Sequence, residues 1–205
     1  MPATATAGLS REALISEIRA RHPRFRLAVR ADAEITARYR GERHEFRSGL
    51  DAAAQALRLA LQSDAFLAQA LYRAKARLQT LGVPLLPRIL HRLAMITGQV
   101  AIGDPVVVQP GIYILHGQVV IDGITEIESG VTIGPFVTIG LRAGNVVGPK
   151  VGRHVQIGTG AKLIGPIEVG EAARIGANAV VVDDVAANRT VAGVPARAIE
   201  GPSDP

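Results

Sequence analysis

The stretch IGTGAKLIGPIEVGEAARIGANAVV, residues 157–181, carries an aliphatic side chain at every sixth position. These positions are Ile157, Leu163, Val169, Ile175 and Val181. In three of the hexads a small residue stands directly after the aliphatic position and again three residues later, namely Gly158, Ala161, Gly170, Ala173, Gly176 and Ala179. An α-helix has no period of six, whereas each hexad of a parallel β-helix forms one short strand with its aliphatic side chain inward. The stretch therefore predicts a solenoid with three flat faces.

The six-residue lattice continues upstream through most of the second half of the chain. Its further points are Ile102, Val108, Ile114, Ile121, Ile127, Ile133, Ile139 and Val151. One point, Asn145 in LRAGNVVGPK, is not aliphatic. Three hexads make one coil, so residue n should stack on n+18, and residues 100–183 should form roughly four to five coils. Because side chains fill the inward positions, chemistry must occur outside, at loops or between subunits.

The first 95 or so residues follow a helical pattern instead. Ser48, with Asp51 three residues later, predicts a capped helix start. Gly82 and Pro84 predict a helix end. Before that end, apolar residues spaced three and four apart predict a face packed on other helices or subunits, namely Leu67, Leu71, Ala74, Leu78 and Leu81. We therefore predict an α+β protein with a helical domain, residues 1–97, and a solenoid domain with a C-terminal tail, residues 98–205.

Composition narrows the class of protein. The 205 residues include no cysteine, which excludes disulfides, thiolate metal sites and a cysteine nucleophile. The N-terminal MPATATAGLSREALI lacks the charged start and apolar run of a signal peptide. No apolar run approaches the roughly 18 residues of a membrane helix. We expect a soluble, cytoplasmic protein with no membrane partner.

Positive charge is concentrated in the helical half. Residues 1–95 carry 16 Lys+Arg against 8 Asp+Glu, and residues 96–205 carry 7 against 10. A basic half can bind nucleic acid. However, the arginines are spread along helical patterns rather than grouped with aromatic residues, as at Arg11, Arg19, Arg58 and Arg77. This favours a solvated surface or a subunit contact, and we predict no nucleic-acid partner.

The second half resembles a known family. The lattice, the quoted stretch and the ending VAGVPAR are similar to hexapeptide-repeat acyltransferases. GIYILHG and GAKLIGPIEVG, together with the helical first half, resemble the serine acetyltransferase-like branch from about Gln99 to Glu200. The resemblance implies a left-handed parallel β-helix and homotrimers or dimers of trimers, with active sites between neighbouring solenoids. It also implies acetyl-CoA as co-substrate, bound along the groove, and a small-molecule hydroxyl acceptor.

His116 corresponds to the catalytic histidine of that family. It lies in GIYILHGQVVIDG, where the step from Ile114 to Ile121 is seven residues instead of six. The extra residue should push the imidazole out of the packed wall. Imidazole can accept a hydroxyl proton and later release it near neutral pH, so the resemblance implies that His116 is the general base. The alternative is that His116 is a loop histidine of an inactive relative.

Other residues match the cofactor groove of the family. The positions similar to those lining the pantetheine arm are Gly140, Gly158, Thr159 and Ala161. Lys162 and Arg197 are candidates for the phosphates of CoA, by charge pairing. Corner geometry in the solenoid also accounts for the glycines, and Lys162 is equally compatible with a solvated side chain.

The match departs from the family at the residues around the histidine. Leu115 replaces an aspartate directly before it, and Ala101 replaces a carboxylate that orients the imidazole. Asp104 is a possible substitute from a shifted turn. Gly148 stands where serine acetyltransferases have a histidine that grips serine. We therefore predict O-acetylation of a hydroxyl on a sugar or other small molecule, with serine O-acetylation as the alternative.

Two other classes of protein are alternatives to an O-acetyltransferase. A non-catalytic scaffold solenoid stays open because the carboxylate partner is missing, although the CoA motifs are intact. The same fold hosts zinc carbonic anhydrases, but a zinc site needs three protein ligands. Only His116 and His154 fall within the solenoid, so we predict no metal.

Overall fold

The computed structural model describes the backbone of residues 11–199 and the side chains of residues 16–199. Within this range the helices are α1 (Arg11–Ala20), α2 (Phe25–Tyr39), α3 (Gly49–Gln62), α4 (Asp64–Thr80) and α5 (Leu86–Gly98). The strands are β1 (Val100–Ile102), β2 (Val107–Val108), β3 (Tyr113–Ile114), β4 (Val119–Ile121), β5 (Ile124–Ile127), β6 (Thr132–Ile133), β7 (Thr138–Gly140), β8 (Val147–Val151), β9 (Gln156–Ile157), β10 (Lys162–Ile164), β11 (Glu168–Val169), β12 (Arg174–Ile175), β13 (Val180–Val181), β14 (Thr190–Gly193) and β15 (Ala196–Ile199). None of these helices is long and apolar enough to cross a membrane.

The strands stack into three parallel sheets, one for each face of a β-helix. Face A contains β1, β4, β7, β10 and β13, and face B contains β2, β5, β8 and β11. Face C contains β3, β6, β9, β12 and β14, and β15 is added antiparallel to β14. The chain runs from A to B to C and returns to A one coil further on. The predicted fold class, a helical region followed by a parallel β-helix, is confirmed.

The register confirms the predicted stacking and locates its interruptions. Lys162 pairs with Val180, the expected step of 18 residues. Ile114 pairs with Ile133, a step of 19, and Thr138 pairs with Lys162, a step of 24. The excess of one residue lies in the turn between β3 and β4. The excess of six lies between β7 and β8.

The larger interruption explains the lattice point that is not aliphatic. Residues 141–146 form a loop between β7 and β8, so one complete hexad leaves the wall and the lattice continues in phase. Asn145 is exposed in this loop, and its Oδ1 accepts a hydrogen bond of 2.9 Å from the backbone N–H of Val147. A polar residue is therefore tolerated at this lattice position.

Aliphatic side chains fill the inside of the solenoid. Its buried lattice residues include Ile121, Ile127, Ile133, Ile139, Leu163 and Val169, and the smaller buried residues include Val131, Val137, Val155, Ala161, Ala173 and Ala179. This confirms the inward pattern and leaves the outer surface and the corners for binding.

The ends of two helices match the sequence expectation, whereas the most buried face of α4 is not the one that carries its leucines. Ser48 Oγ accepts from the backbone N–H of Asp51 at 3.1 Å, and Gly82 follows α4 with φ of +70°. The predicted apolar face of α4 is only partly buried in the single chain: Leu71 packs against the core, Leu81 is exposed, and contact of this face with other subunits stays a prediction. The buried face instead contains Ala65, Phe66, Ala68, Gln69, Tyr72, Arg73, Lys75 and Ala76.

This buried face of α4 covers the open end of the first coil. A first coil has no preceding coil to hydrogen-bond its carbonyl groups, and buried carbonyls need partners. Polar side chains of α4 supply them: Gln69 Nε2 to Ile112 O at 3.2 Å, Tyr72 OH to Val106 O at 2.8 Å and Lys75 Nζ to Ile102 O at 2.6 Å. The helical region therefore caps the solenoid with hydrogen bonds.

A buried ion pair fixes the same contact. Asp32 on α2 and Arg73 on α4 are 1% and 3% exposed, and Arg73 Nε donates to Asp32 Oδ2 at 2.8 Å. Asp32 Oδ1 accepts from the backbone N–H of Gly111 at 2.8 Å. Arg73 Nη2 donates to Gln109 O at 2.8 Å, and Nη1 donates to Val108 O. Both charges thus bind α2 and α4 to the first coil.

Candidate functional site

His116 lies in the turn that joins face C to face A, between β3 and β4. The turn is held at both ends. Leu115 N donates to Ile133 O of the next coil at 3.0 Å, and Gln118 N donates to Gln99 O at 2.8 Å. Because Gln99 caps α5, the helical region fixes one side of the turn.

The contact with α5 is close enough to restrict the sequence. A Cβ on Gly117 would lie 2.0 Å from the carbonyl oxygen of Gly98, so only glycine fits there. Gln118 has φ of +64°, a left-handed conformation that completes the tight turn. The imidazole of His116 is exposed and has no hydrogen-bond partner among residues 16–199. The extra residue and the α5 contact together direct the side chain away from the wall.

One predicted groove residue, Thr159, shares this corner with His116. In the register of face C, Ile114 stacks on Ile133, and Ile133 on Ile157. Thr159 therefore occupies, two coils further on, the turn position of His116. At one strand spacing per coil the separation is about 10 Å along the solenoid. Thr159 is exposed, so the two side chains border one edge of the molecule.

The two predicted groove glycines differ in what a side chain would meet. A Cβ on Gly158 would lie 2.7 Å from Ala177 N and 2.8 Å from Ile175 O, so close packing between coils already requires glycine. A Cβ on Gly140 would meet only Thr138 Cγ2, at 3.8 Å. Packing therefore does not require glycine at position 140, and its place in the cofactor groove stays a prediction.

We expect alanine substitutions to separate these roles. Gly158→Ala should lower the stability by about 1–3 kcal/mol, the usual cost of overpacking. Gly140→Ala should leave the melting temperature unchanged but raise the KM for acetyl-CoA, because its methyl group enters the groove. Thermal unfolding and steady-state kinetics on both variants test this. An unchanged KM in Gly140→Ala would remove Gly140 from the groove.

Ala161 and Lys162 are placed less favourably for direct contact. The side chain of Ala161 is fully buried, and its backbone N–H and carbonyl are bonded to Gly158 O and Thr138 N. Lys162 Nζ donates to Phe136 O at 2.5 Å across the outside of face A. Lys162 is therefore held on the wall beside the corner, and only its further hydrogens can reach a ligand.

Arg197 lies in the C-terminal hairpin formed by β14 and β15. Its Nη1 pairs with Asp183 Oδ2 at 3.2 Å, with both side chains about two-thirds exposed. An exposed pair of this kind contributes little to stability. The guanidinium can therefore exchange this partner for a phosphate.

Asp104 is not brought to His116 within the chain. It lies at a different corner, between faces A and B, where its Oδ1 is 3.0 Å from Lys75 Nζ. Burial raises the pKa of Asp104, but the charge and hydrogen bond of Lys75 together with smaller contributions outweigh it, so the pKa lies below its ordinary value. Leu115 is exposed and Ala101 is half-buried. The geometry does not support Asp104 as the group that orients the imidazole.

Gly148 has no room for a side chain. It is buried in β8, and a Cβ would lie 2.1 Å from Oγ1 of Thr125. That hydroxyl donates to Asp122 O at 2.7 Å. A histidine like the one that serine acetyltransferases have at the equivalent position would therefore not fit here, because β5 packs too closely against β8.

The other histidine of the solenoid is separate from this corner. His154 is exposed in the turn before β9, with φ of +57°. Its ring lies on Gly130 of the preceding coil, where a Cβ would be 2.2 Å from Nδ1. Among the described residues, no three His, Asp or Glu side chains are close enough to hold a metal ion.

Comparisons with known sequences and structures identify the family of this chain. Residues 148–183 match the family model described as bacterial transferase hexapeptide (six repeats). A serine acetyltransferase of Mycobacterium tuberculosis is 43% identical over 128 residues, which are 60% of this chain and 55% of the relative. The crystal structure of serine acetyltransferase from Vibrio cholerae superposes with a TM-score of 0.74 and 31% identity, covering all of this chain and 74% of that one. The chain belongs to the serine acetyltransferase family.

A further structure of the family is described as a complex with CoA. It shares 31% identity with this chain and has a TM-score of 0.67, covering 83% of this chain and 68% of that chain. The chain spans about half the length of the M. tuberculosis relative, 55%. Family membership therefore confirms the resemblance, whereas the activity of the relatives does not transfer to this chain by similarity alone.

Sequence reasoning missed the support that α5 gives to the His116 turn. The lattice shows that a residue is inserted, but it does not show what the loosened turn touches. A usable signal was Gly98, directly before the solenoid. A Cβ there would lie 2.5 Å from Asp64 O, so this glycine marks a close approach of α5 and α4.

Proposed function

We propose that this protein is an acetyl-CoA-dependent O-acetyltransferase with L-serine as its acceptor. The observation that carries the proposal is the exposed His116, in a register break of a serine acetyltransferase-family solenoid, at the same corner as Thr159. The relatives named above are serine acetyltransferases, and one is described with CoA. They favour serine over the sugar hydroxyl that the sequence alone suggested.

In the proposed reaction, the imidazole of His116 takes the proton of the acceptor hydroxyl. The freed oxygen attacks the thioester carbonyl of acetyl-CoA and forms a tetrahedral oxyanion, which backbone N–H groups of the corner can stabilise. When the C–S bond breaks, the CoA thiolate leaves and the imidazolium returns its proton to the sulfur. The chain has no cysteine, and direct transfer needs no acyl-enzyme.

A sugar or other small-molecule hydroxyl remains the second candidate acceptor. The specific observation in its favour is Gly148, because Thr125 leaves no space there for a side chain that grips the serine carboxylate. If serine is the acceptor, its carboxylate and amine must be bound by other groups. The resemblance to hexapeptide-repeat acyltransferases implies sites between neighbouring solenoids, so we also propose a homotrimer, with a neighbouring subunit completing the pocket.

An acceptor panel tests this proposal. Release of free CoA is followed with L-serine, an amino sugar and a nucleotide sugar at equal concentrations, each with acetyl-CoA. We expect saturable turnover with L-serine and no comparable rate with either sugar. Turnover with a sugar alone would replace serine as acceptor. If none of the acceptors leads to release of CoA, and calorimetry detects no binding of acetyl-CoA, the protein is better explained as a non-catalytic scaffold.

Arg197 offers a test of cofactor binding by the tail. Arg197→Ala should raise the KM for acetyl-CoA by about threefold to tenfold with kcat nearly unchanged, because a phosphate contact is common to the ground and transition states. Arg153→Ala is a matched control, since Arg153 is also exposed and paired, with Glu171 at 3.1 Å. Equal KM values for the two variants would assign Arg197 to the tail alone.

A further inference from the structure

A cavity of about 570 Å³ lies on the helical region, between the end of α1, the start of α2 and the end of α4. Its wall carries four arginines, Arg19, Arg24, Arg26 and Arg77, and no acidic side chain. None of the lining residues belongs to the solenoid. The fold thus brings Arg77 to three arginines that are close together in the sequence, and the four share one concave surface.

Within the part of the chain whose side chains are described, these four arginines have no counter-charge. Among residues 16–199, none of them forms an ion pair, and Arg77 only approaches Thr80 Oγ1 at 3.5 Å. Neighbouring arginines are paired: Arg21 with Glu126, and Arg73 with Asp32. Like charges around one cavity repel each other. An anion in the cavity would remove that repulsion.

The start of α2 adds to the positive potential. Arg24 is the N-cap residue, without a side-chain capping hydrogen bond, and the first turn has no acidic residue. The first N–H groups of a helix have no partner within the helix and carry the positive end of its dipole. The helix start borders the cavity, because Arg24, Phe25 and Arg26 line it.

His22 also borders the cavity and is unusual in its own right. Both ring nitrogens are inaccessible and have no hydrogen-bond partner among the described residues. Burial, and then the charges of Arg73 and Lys75, lower the pKa of His22 to about 4. The ring is therefore neutral at pH 7, and the positive charge of the cavity comes from the arginines.

We propose that this cavity binds a small phosphorylated metabolite, at a site distinct from the His116 corner. The volume lies within the roughly 300–1,000 Å³ of small-molecule sites. Guanidinium groups bind phosphate oxygens in pairs through parallel N–H bonds, and four of them suit a ligand with more than one negative charge. Phe25, 36% exposed at the cavity, provides an apolar surface for the rest of the ligand. The proposal does not depend on acetyl transfer.

Calorimetry with inorganic pyrophosphate tests the proposal on the full chain. The double variant Arg19→Gln/Arg77→Gln should bind pyrophosphate at least about tenfold more weakly than the unmodified protein, since each lost contact to a charged group is worth a tenfold change or more. Arg189→Gln is the matched control, because Arg189 is exposed and lies outside the cavity. Its affinity should stay within about twofold.

A second readout keeps the test independent of the double variant. Pyrophosphate should raise the melting temperature of the unmodified protein more than sulfate at equal ionic strength, and the single variant Arg26→Gln should reduce this rise. No binding by the unmodified protein would overturn the site. An equal loss in Arg189→Gln would also overturn it, by showing general charge attraction. Tighter binding of a single-stranded oligonucleotide than of pyrophosphate would replace the metabolite by a nucleic acid.

Discussion

Replacing His116 by alanine should lower kcat by about 10²–10⁴-fold, the usual contribution of a general base. The affinity for acetyl-CoA should not change, because the proton transfer belongs to the chemical step. The melting temperature should also be unchanged. The imidazole is exposed and has no partner among the described residues, so its removal leaves neither a cavity nor an unsatisfied group.

His154→Ala is the matched control for this experiment. His154 is the other histidine of the solenoid and is also exposed at a corner. Its variant should keep the kcat of the unmodified protein. If His116→Ala retains activity within a few-fold, the general base is another group, and the register break only serves the contact between the turn and α5.

Replacing Asp32 by alanine should cost about 3–5 kcal/mol of unfolding free energy, which is typical of breaking a buried ion pair from one side. The guanidinium of Arg73 would stay buried without its carboxylate. The backbone N–H groups of Gly111 and Ile112, at 2.8 and 3.2 Å from Asp32 Oδ1, would lose their acceptor. Urea unfolding followed by circular dichroism measures the loss.

Glu34→Ala provides the comparison on the same helix. Glu34 pairs with Arg30 at 2.7 Å, but that pair is exposed and should contribute only about 0.3–0.5 kcal/mol. Both variants are measured at one protein concentration, because association changes apparent stability. If Asp32→Ala is too unstable to purify, Asp32→Asn keeps an acceptor for the two N–H groups and should lose less. A loss in Asp32→Ala no larger than in Glu34→Ala would show that the helical region is not fixed through this pair.

The solenoid was predictable because its period is directly visible in the chain. Each coil repeats the same packing requirement, so Ile133, Ile139, Leu163 and their equivalents mark the inner wall without knowledge of any distant contact. Even the outward loop at Asn145 shows in the lattice as one unfilled point. The prediction of coils at n+18 failed where residues were inserted, and also in the last coil, which is two residues shorter because Ile175 pairs with Val191.

The buried face of α4 could not be predicted from a periodic pattern in the sequence. Its leucines recur at helical spacing, and apolar periodicity is normally the signal for a packed face. At the open end of the first coil, however, the helix face that packs must carry hydrogen-bond donors, because the free carbonyl groups of the coil are stabilised by donors and not by aliphatic groups. Gln69, Tyr72 and Lys75 supply those donors. The need for donors on α4 becomes visible only when the helix is seen packed against the first coil.

The candidate site was predictable in part. The broken register at His116 is visible in the sequence, and Gly158 and Thr159 follow from the repeat. The pairing of Asp104 with Lys75 depends on a helix more than 20 residues away in the chain, so sequence proximity to His116 was a poor guide. The distinction between Gly140 and Gly158 requires the distances between coils.

The most direct test of the proposed function is transfer of labelled acetyl from acetyl-CoA to L-serine by the purified protein. The product is identified by mass spectrometry and NMR, with His116→Ala assayed in parallel. The account predicts O-acetyl-L-serine that accumulates in proportion to released CoA, at a rate that His116→Ala reduces at least about a hundredfold. Absence of O-acetyl-L-serine at saturating L-serine, or its formation at an equal rate by His116→Ala, would contradict the account.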